Sequence, residues 1–197
     1  MGKAVLRAGW LLLLPVSLLA QSNAKLFSTP KGELYTGYSF VQMEGKSMHG
    51  WNVSATGNVN KNLGIVGDFS GNYNSEKTTA GSTVTSSNLT FTNVMGGLRV
   101  SDRSLRSFTP FAHMLFGMTR VNAQVDTTVP GSPTSSFNND VTGFSTALGG
   151  GLDLNLREGF FVRMFQADYF LIRASGFKHE GARVSAGIVW RFGQRQD

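Results

Sequence analysis

The chain has 197 residues, with 24 glycines, 15 phenylalanines, no cysteine and a formal charge of +6. That length suits one domain of ordinary size, and the lack of cysteine excludes a disulfide framework and any thiolate metal site. Charged residues are only 15% of the total, where a soluble domain has about a quarter, yet mean hydropathy is near zero. Apolar and small polar residues alternating along strands give that combination; a helical membrane protein does not.

Residues 1–24 read as a secretory signal peptide. Lys3 and Arg7 provide the positive start, Ala8 to Leu19 the apolar run, and Ala20 or Ala24 the small residue before cleavage. The run is too short to span a bilayer, which takes roughly 20 apolar residues. Residues 25–197 are then the mature domain. Without Lys3 and Arg7 it holds 16 basic and 12 acidic side chains, for a charge of +4. These charges are scattered rather than clustered, so no nucleic-acid partner is expected.

In chain order, strand 1 covers about Glu33 to Gln42, with Leu34, Thr36, Tyr38 and Phe40 on one face and Tyr35, Gly37 and Ser39 on the other. Met43 to Gly50 reads as a short loop. Strand 2, Trp51 to Val59, sets Trp51, Val53, Ala55 and Val59 against Asn52, Ser54, Thr56 and Asn58. A turn at Asn60 to Asn62 leads to strand 3, Leu63 to Tyr73, with Ile65 and Phe69 opposite Val66, Asp68 and Ser70.

A Ser/Thr-rich loop is predicted from Asn74 to Ser87. In strand 4, Asn88 to Val100, Leu89 and Phe91 fall on one parity and Val94, Leu98 and Val100 on the other, which predicts a β-bulge between them. Strand 5, Phe108 to Val121, sets Met114, Phe116 and Met118 against Phe111, His113 and Leu115. The longest loop is predicted over Asn122 to Asp140. Strand 6, Val141 to Leu154, opposes Phe144, Leu148 and Leu152 to Ser145, Ala147 and Asp153.

Strand 7, Phe160 to Ile172, opposes Phe161, Phe165, Tyr169 and Leu171 to Val162, Gln166 and Asp168. Arg163 then falls on the apolar side, which predicts either an edge position or a second bulge. After a loop at Arg173 to Gly181, strand 8 runs from Arg183 to Phe192. Val184, Ala186, Ile188, Trp190 and Phe192 form one face; Arg183, Ser185, Gly187 and Arg191 lie on the other.

Eight strands, longer polar loops alternating with shorter turns, and an apolar face ending in aromatics match a closed transmembrane barrel with its apolar side toward lipid. Closure also removes the unpaired edges that hydrocarbon does not tolerate. A secreted lipocalin-type barrel is the soluble alternative, but its apolar side chains would line a cavity and its charges would cover the exterior. Here the non-apolar face is glycine, serine and asparagine. The fold class expected is therefore all-β, a closed eight-stranded antiparallel up-and-down barrel.

The segments Tyr35-Thr-Gly-Tyr-Ser-Phe40, Gly50-Trp-Asn-Val-Ser54, Asn62-Leu-Gly-Ile-Val-Gly-Asp-Phe69, Pro110-Phe-Ala-His113, Gln166-Ala-Asp-Tyr169 and Arg183-Val-Ser-Ala-Gly187 carry a family resemblance. Together they resemble the eight-stranded bacterial outer-membrane barrels, such as the transmembrane domain of the outer membrane protein A family and the small barrels that stand alone. The resemblance implies outer-membrane location and contact with membrane lipids and lipopolysaccharide. It also implies a monomer with both termini periplasmic. Trp190 and Phe192 are similar to the C-terminal assembly signal read by the barrel insertion machinery, although Gly193 to Asp197 trail beyond it.

On these parities Asp68, Arg99, His113, Asp153, Asp168, Arg183 and Arg191 point inward. An eight-stranded interior is just wide enough for side chains to fill, and charges there must pair. The expectation is a lumen charge network without a channel, in a structural or adhesive protein; a narrow pore is the alternative. Some small barrels of this kind hydrolyse lipid A with a His and a Ser on the lipid face, but His49 and His179 fall in predicted loops and His113 has no matching Ser. No G-x-S-x-G, H-E-x-x-H or P-loop is present. Neither an enzyme, a cofactor nor a metal is expected.

Overall fold

The computed structural model describes residues 29–105, 107–174 and 177–195, and the expected signal peptide lies outside them. Eight strands follow in order: β1 Thr29–Met43, β2 Lys46–Asn58, β3 Leu63–Ala80, β4 Thr83–Ser101, β5 Phe108–Thr128, β6 Ser135–Arg157, β7 Phe160–Ala174 and β8 Phe177–Arg195. Each pairs antiparallel with its sequence neighbours, and β1 pairs with β8, closing the ring. Both ends of the described chain therefore lie at one end of the barrel. That terminal end also carries the connections 59–62, 102–107 and 158–159; the hairpins joining β1–β2, β3–β4, β5–β6 and β7–β8 make up the other end.

The alternation explains the ring. Ile65, Leu98, Met118 and Leu148 face outward and are 59%, 56%, 59% and 59% exposed, while Tyr35, Leu115 and Arg183 face inward and are at most 1% exposed. Aromatics gather at both rims of this outward apolar band. Trp51 meets Phe69 edge-on at 5.1 Å toward the hairpin end, and Phe160 meets Trp190 at 6.0 Å toward the terminal end.

Five expectations are corrected. The predicted loops 74–87 and 122–140 are mostly strand: β3 runs on to Ala80, β4 starts at Thr83, β5 reaches Thr128 and β6 begins at Ser135. Thr and Val at these positions favour extended backbone, and hairpin pairing extends the ladder beyond the band. The predicted loop 43–50 likewise shrinks to a two-residue turn, with Glu44 at φ 50° and Gly45 at φ 79°. Such a turn matches the twist of the flanking strands.

The bulge expected in strand 4 is absent. β4 pairs with β3 and β5 without a register shift, and Phe91 is buried on the inner face. Its apolar partners there are Val41, Met48 and Ile172, so the change of parity reflects an apolar layer inside the barrel.

β7 does carry a bulge, between Arg163 and Gln166 against β8. Met164 and Phe165 both face outward, which turns Arg163 inward. The same bulge reverses Phe161, which lies inside under the Arg191 guanidinium rather than on the outer face.

Candidate functional site: the filled lumen and the projecting sheet

The lumen holds four buried carboxylates, Glu33, Asp68, Asp153 and Asp168, and four guanidiniums, Arg99, Arg163, Arg183 and Arg191. They form two groups. Toward the terminal end, Asp153 accepts from Arg163 Nε at 2.8 Å, Arg99 Nη2 at 3.0 Å and Arg191 Nη2 at 3.2 Å. Glu33 receives Arg191 Nε at 3.2 Å and lies 3.6 Å from Arg99. Arg103, from the β4–β5 turn, reaches across to Glu33 and donates to Asn58 Oδ1 at 2.9 Å.

Aromatic rings support these arginines. Arg99 lies 3.8 Å from the Phe111 centroid, Arg163 sits between Tyr35 at 4.2 Å and Phe111 at 4.3 Å, and Arg191 covers Phe161 at 3.7 Å. Each ring fills volume and adds cation–π attraction in a desolvated site.

The second group is centred on Arg183. It donates to Asp68 Oδ1 at 2.8 Å, to Asp168 Oδ2 at 2.8 Å and to Ser70 at 3.2 Å. His113 Nε2 shares a 2.7 Å hydrogen bond with Asp168 Oδ1, and Asn52 donates to Asp68 at 2.9 Å. Gln166 bridges the groups: its Oε1 accepts from Arg163 at 2.6 Å and its Nε2 donates to Asp168 at 2.8 Å. Gly149, directly opposite Asp168, makes room for this carboxylate; a Cβ there would lie 2.1 Å from Asp168 Oδ1.

The seven inward residues named from the sequence thus lie in these two groups. The network also takes in Glu33, Arg103 and Arg163, which the sequence reading does not place in it, and Gln166, which it places on the inward face of strand 7 without naming it as a member. Glu33 sat at the start of a predicted strand, Arg103 in a turn, and Arg163 behind a bulge. The run Arg163-Met-Phe-Gln166 held a clue, since only an extra residue between Arg163 and Gln166 places both polar side chains inside.

Toward the hairpin end the interior turns apolar. Val41, Met48, Phe91 and Ile172 pack together, with Met43, Leu89 and Val121 beside them. A second apolar cluster joins Val66, Met95, Leu115, Ala147 and Phe170. The remaining histidines lie elsewhere: His49 contacts the Tyr38 hydroxyl on the outer face, and His179 Nδ1 is 2.5 Å from Glu44 Oε1.

Above the barrel the four long strands continue as a sheet. β2 pairs with β3 only as far as Tyr73, and β7 pairs with β6 only as far as Phe144. Asn74–Ala80 on β3 and Ser135–Gly143 on β6 are therefore free edges among the described residues. The inward-facing side of this sheet carries Leu89, Val121, Val125, Phe137 and Val141. Val125 is opposite Phe137, Val121 is opposite Val141, and Phe137 is 65% exposed. The other side is polar, with Asn122, Gln124, Asn138 and Asp140.

A family profile described as outer membrane protein beta-barrel domain matches residues 10–192. The chain belongs to that family. As a member, it is a bacterial outer-membrane protein, and its apolar band faces lipid.

Its fold is similar to that of the attachment invasion locus protein Ail of Yersinia pestis: 20% identity over 82% of this chain and 99% of that one, with a TM-score of 0.55. The same protein in complex with the heparin analogue sucrose octasulfate aligns at 18% identity and a TM-score of 0.53, over 82% of this chain and 99% of that one. Neisserial surface protein A aligns at 14% identity and 0.55, over 82% of this chain and 96% of that one. Among curated protein sequences no match was found.

Proposed function

We propose that this outer-membrane barrel is a closed anchor that presents the projecting β3–β6 sheet as an adhesive surface outside the cell. The observation that carries this reading is the two-sided sheet: an apolar front at Val121, Val125, Phe137 and Val141, a polar back, and a free edge at Ser135–Gly143. An added strand with alternating residues would satisfy that edge through its backbone and lay its apolar side chains on the front. β6 offers little defence against such pairing, because its edge holds neither Lys nor Pro and its Asp140 is engaged by Arg120 at 2.9 and 3.0 Å. The names of the fold relatives Ail and neisserial surface protein A agree with a surface role.

In this reading both termini are periplasmic, residues 1–24 are removed after Ala20 or Ala24, and Trp190 and Phe192 serve assembly of a monomer. No turnover chemistry is involved. The lumen charge network of Asp68, Arg99, His113, Asp153, Asp168, Arg183 and Arg191 closes the interior to solutes. Changing Val125 and Phe137 to Asp together should abolish attachment of expressing cells to host-cell or matrix surfaces while leaving a boiling-dependent gel shift intact. Unchanged attachment overturns the adhesive reading. Stable single-channel conductance steps from the purified barrel would replace the closed lumen with the narrow pore.

A further inference from the structure

Around the hairpin-end rim the outer face changes character. On β1 and β2 the positions near the top of the apolar band are aromatic: Tyr38, Phe40, His49 and Trp51. On β5, β7 and β8 they are cationic. The outward band ends at Met118 on β5 and Leu171 on β7, and the next outward residues are Arg120 and Arg173. Lys178 on β8 lies directly opposite Arg173, and Phe144 on β6 flanks Arg173 on its other side.

Like charges directly opposite one another on a sheet face destabilise it. Two of these three cations have acidic partners: Arg120 is held by Asp140, and Lys178 lies 2.5 Å from Glu180. Among the described residues Arg173 has no acidic partner. Glu180 raises the proton affinity of Lys178 while the Arg173 charge works against it. One positive charge is therefore in surplus beside exposed Phe144 and at the level where a headgroup would sit.

We infer that Arg173 and Lys178 bind a phosphate of the phosphorylated glycolipid in the outer leaflet. A guanidinium takes phosphate oxygens in bidentate fashion, and the neighbouring ammonium adds a point charge. Phe144 and Leu171 lie where the acyl chains of the same lipid would rest. The anion removes the repulsion between Arg173 and Lys178, so occupancy stabilises the β7–β8 hairpin. This inference rests on the hairpin end facing outward, as proposed above, and not on adhesion.

The test uses the folded barrel in detergent, titrated with bisphosphorylated lipid A, dephosphorylated lipid A and inorganic phosphate. Binding is read by native mass spectrometry and by the temperature of the gel-shift transition. Bisphosphorylated lipid A should bind and raise that temperature, the dephosphorylated lipid should not, and the double variant Arg173→Gln/Lys178→Gln should weaken binding roughly tenfold or more. Lys31→Gln/Arg157→Gln, at the terminal end, should bind as the parent does.

Equal binding by the Arg173/Lys178 variant, or equal binding of dephosphorylated lipid A, overturns the site. A matching response to inorganic phosphate shows a free-anion site and overturns the lipid assignment. A gel shift in every variant establishes that each is folded, and proteinase K cleavage of the β5–β6 hairpin on intact cells tests the orientation separately.

Discussion

The barrel interior and the projecting sheet are built from the same strands and the same alternation, yet they solve opposite problems. Within the ring, the inward face meets itself across a narrow space. Large charged residues survive there because each carboxylate finds guanidinium partners: Asp153 meets Arg99, Arg163 and Arg191, and Asp168 meets Arg183 and His113. Above the ring, β3 to β6 lose their opposing wall, and on β5 and β6 the inward face carries Val and Phe instead of charge. Closure, rather than strand composition, decides whether an inward side chain must be paired or left open for a partner.

The largest effect is expected inside the ring. Arg183→Met leaves Asp68 and Asp168 buried without their shared guanidinium, and should lower stability by about 3–5 kcal/mol. Urea unfolding in lipid vesicles measures this, and the triple change Asp68→Asn/Asp168→Asn/Arg183→Met should recover most of the loss. If the single variant is as stable as the parent, the Arg183 group does not hold the lumen together.

Next is the lipid face. Ile188→Arg puts a charge on the outward side of β8 within the apolar band, at an expected cost of about 2–4 kcal/mol. It should reduce the yield of folded barrel in the outer membrane, and normal yield would contradict the outward assignment of Ile188. Gly149→Ala should cost about 1–3 kcal/mol through overpacking, because its Cβ would meet the Asp168 carboxylate and the Ala167 carbonyl at 2.1 and 2.4 Å. Its sharper readout is weaker protection of Asp168 contacts, followed as a shift of the His113 ring resonances.

Phe137→Asp on the sheet should stay within about 0.5 kcal/mol of the parent stability. Its consequence belongs in attachment assays, and a large fall in stability would mean that the sheet front is already covered.

Much of the ring was legible because lipid and lumen impose a strict period of two. The parities of β1, β2, β3, β5, β6 and β8 follow from residues such as Tyr38 against Ser39 and Trp51 against Asn52. Three features were not fully legible. Phe91 and Leu89 looked outward because an apolar residue was equated with lipid, whereas the upper lumen is itself apolar around Val41, Met48 and Ile172. Arg163 on the apolar side of strand 7 left an edge position and a bulge both open, and the two successive large residues, Met164 and Phe165, are what select the bulge. The projecting strands looked like loops because hairpins in water need no continuous apolar face; their scattered Val84, Val121 and Val125 were the available clue.

Ring closure also sets the order of events in folding. Glu33 and Arg191, which meet at 3.2 Å across the β1–β8 seam, are 158 positions apart in the chain. They can meet only once β8 has reached β1. Contacts of such long range make formation slow, and until that seam shuts the first and last strands keep open edges able to pair with other chains. The barrel owes its sealed state to the pairing of β8 with β1, so an unsealed polypeptide exposes both edges until that pairing forms.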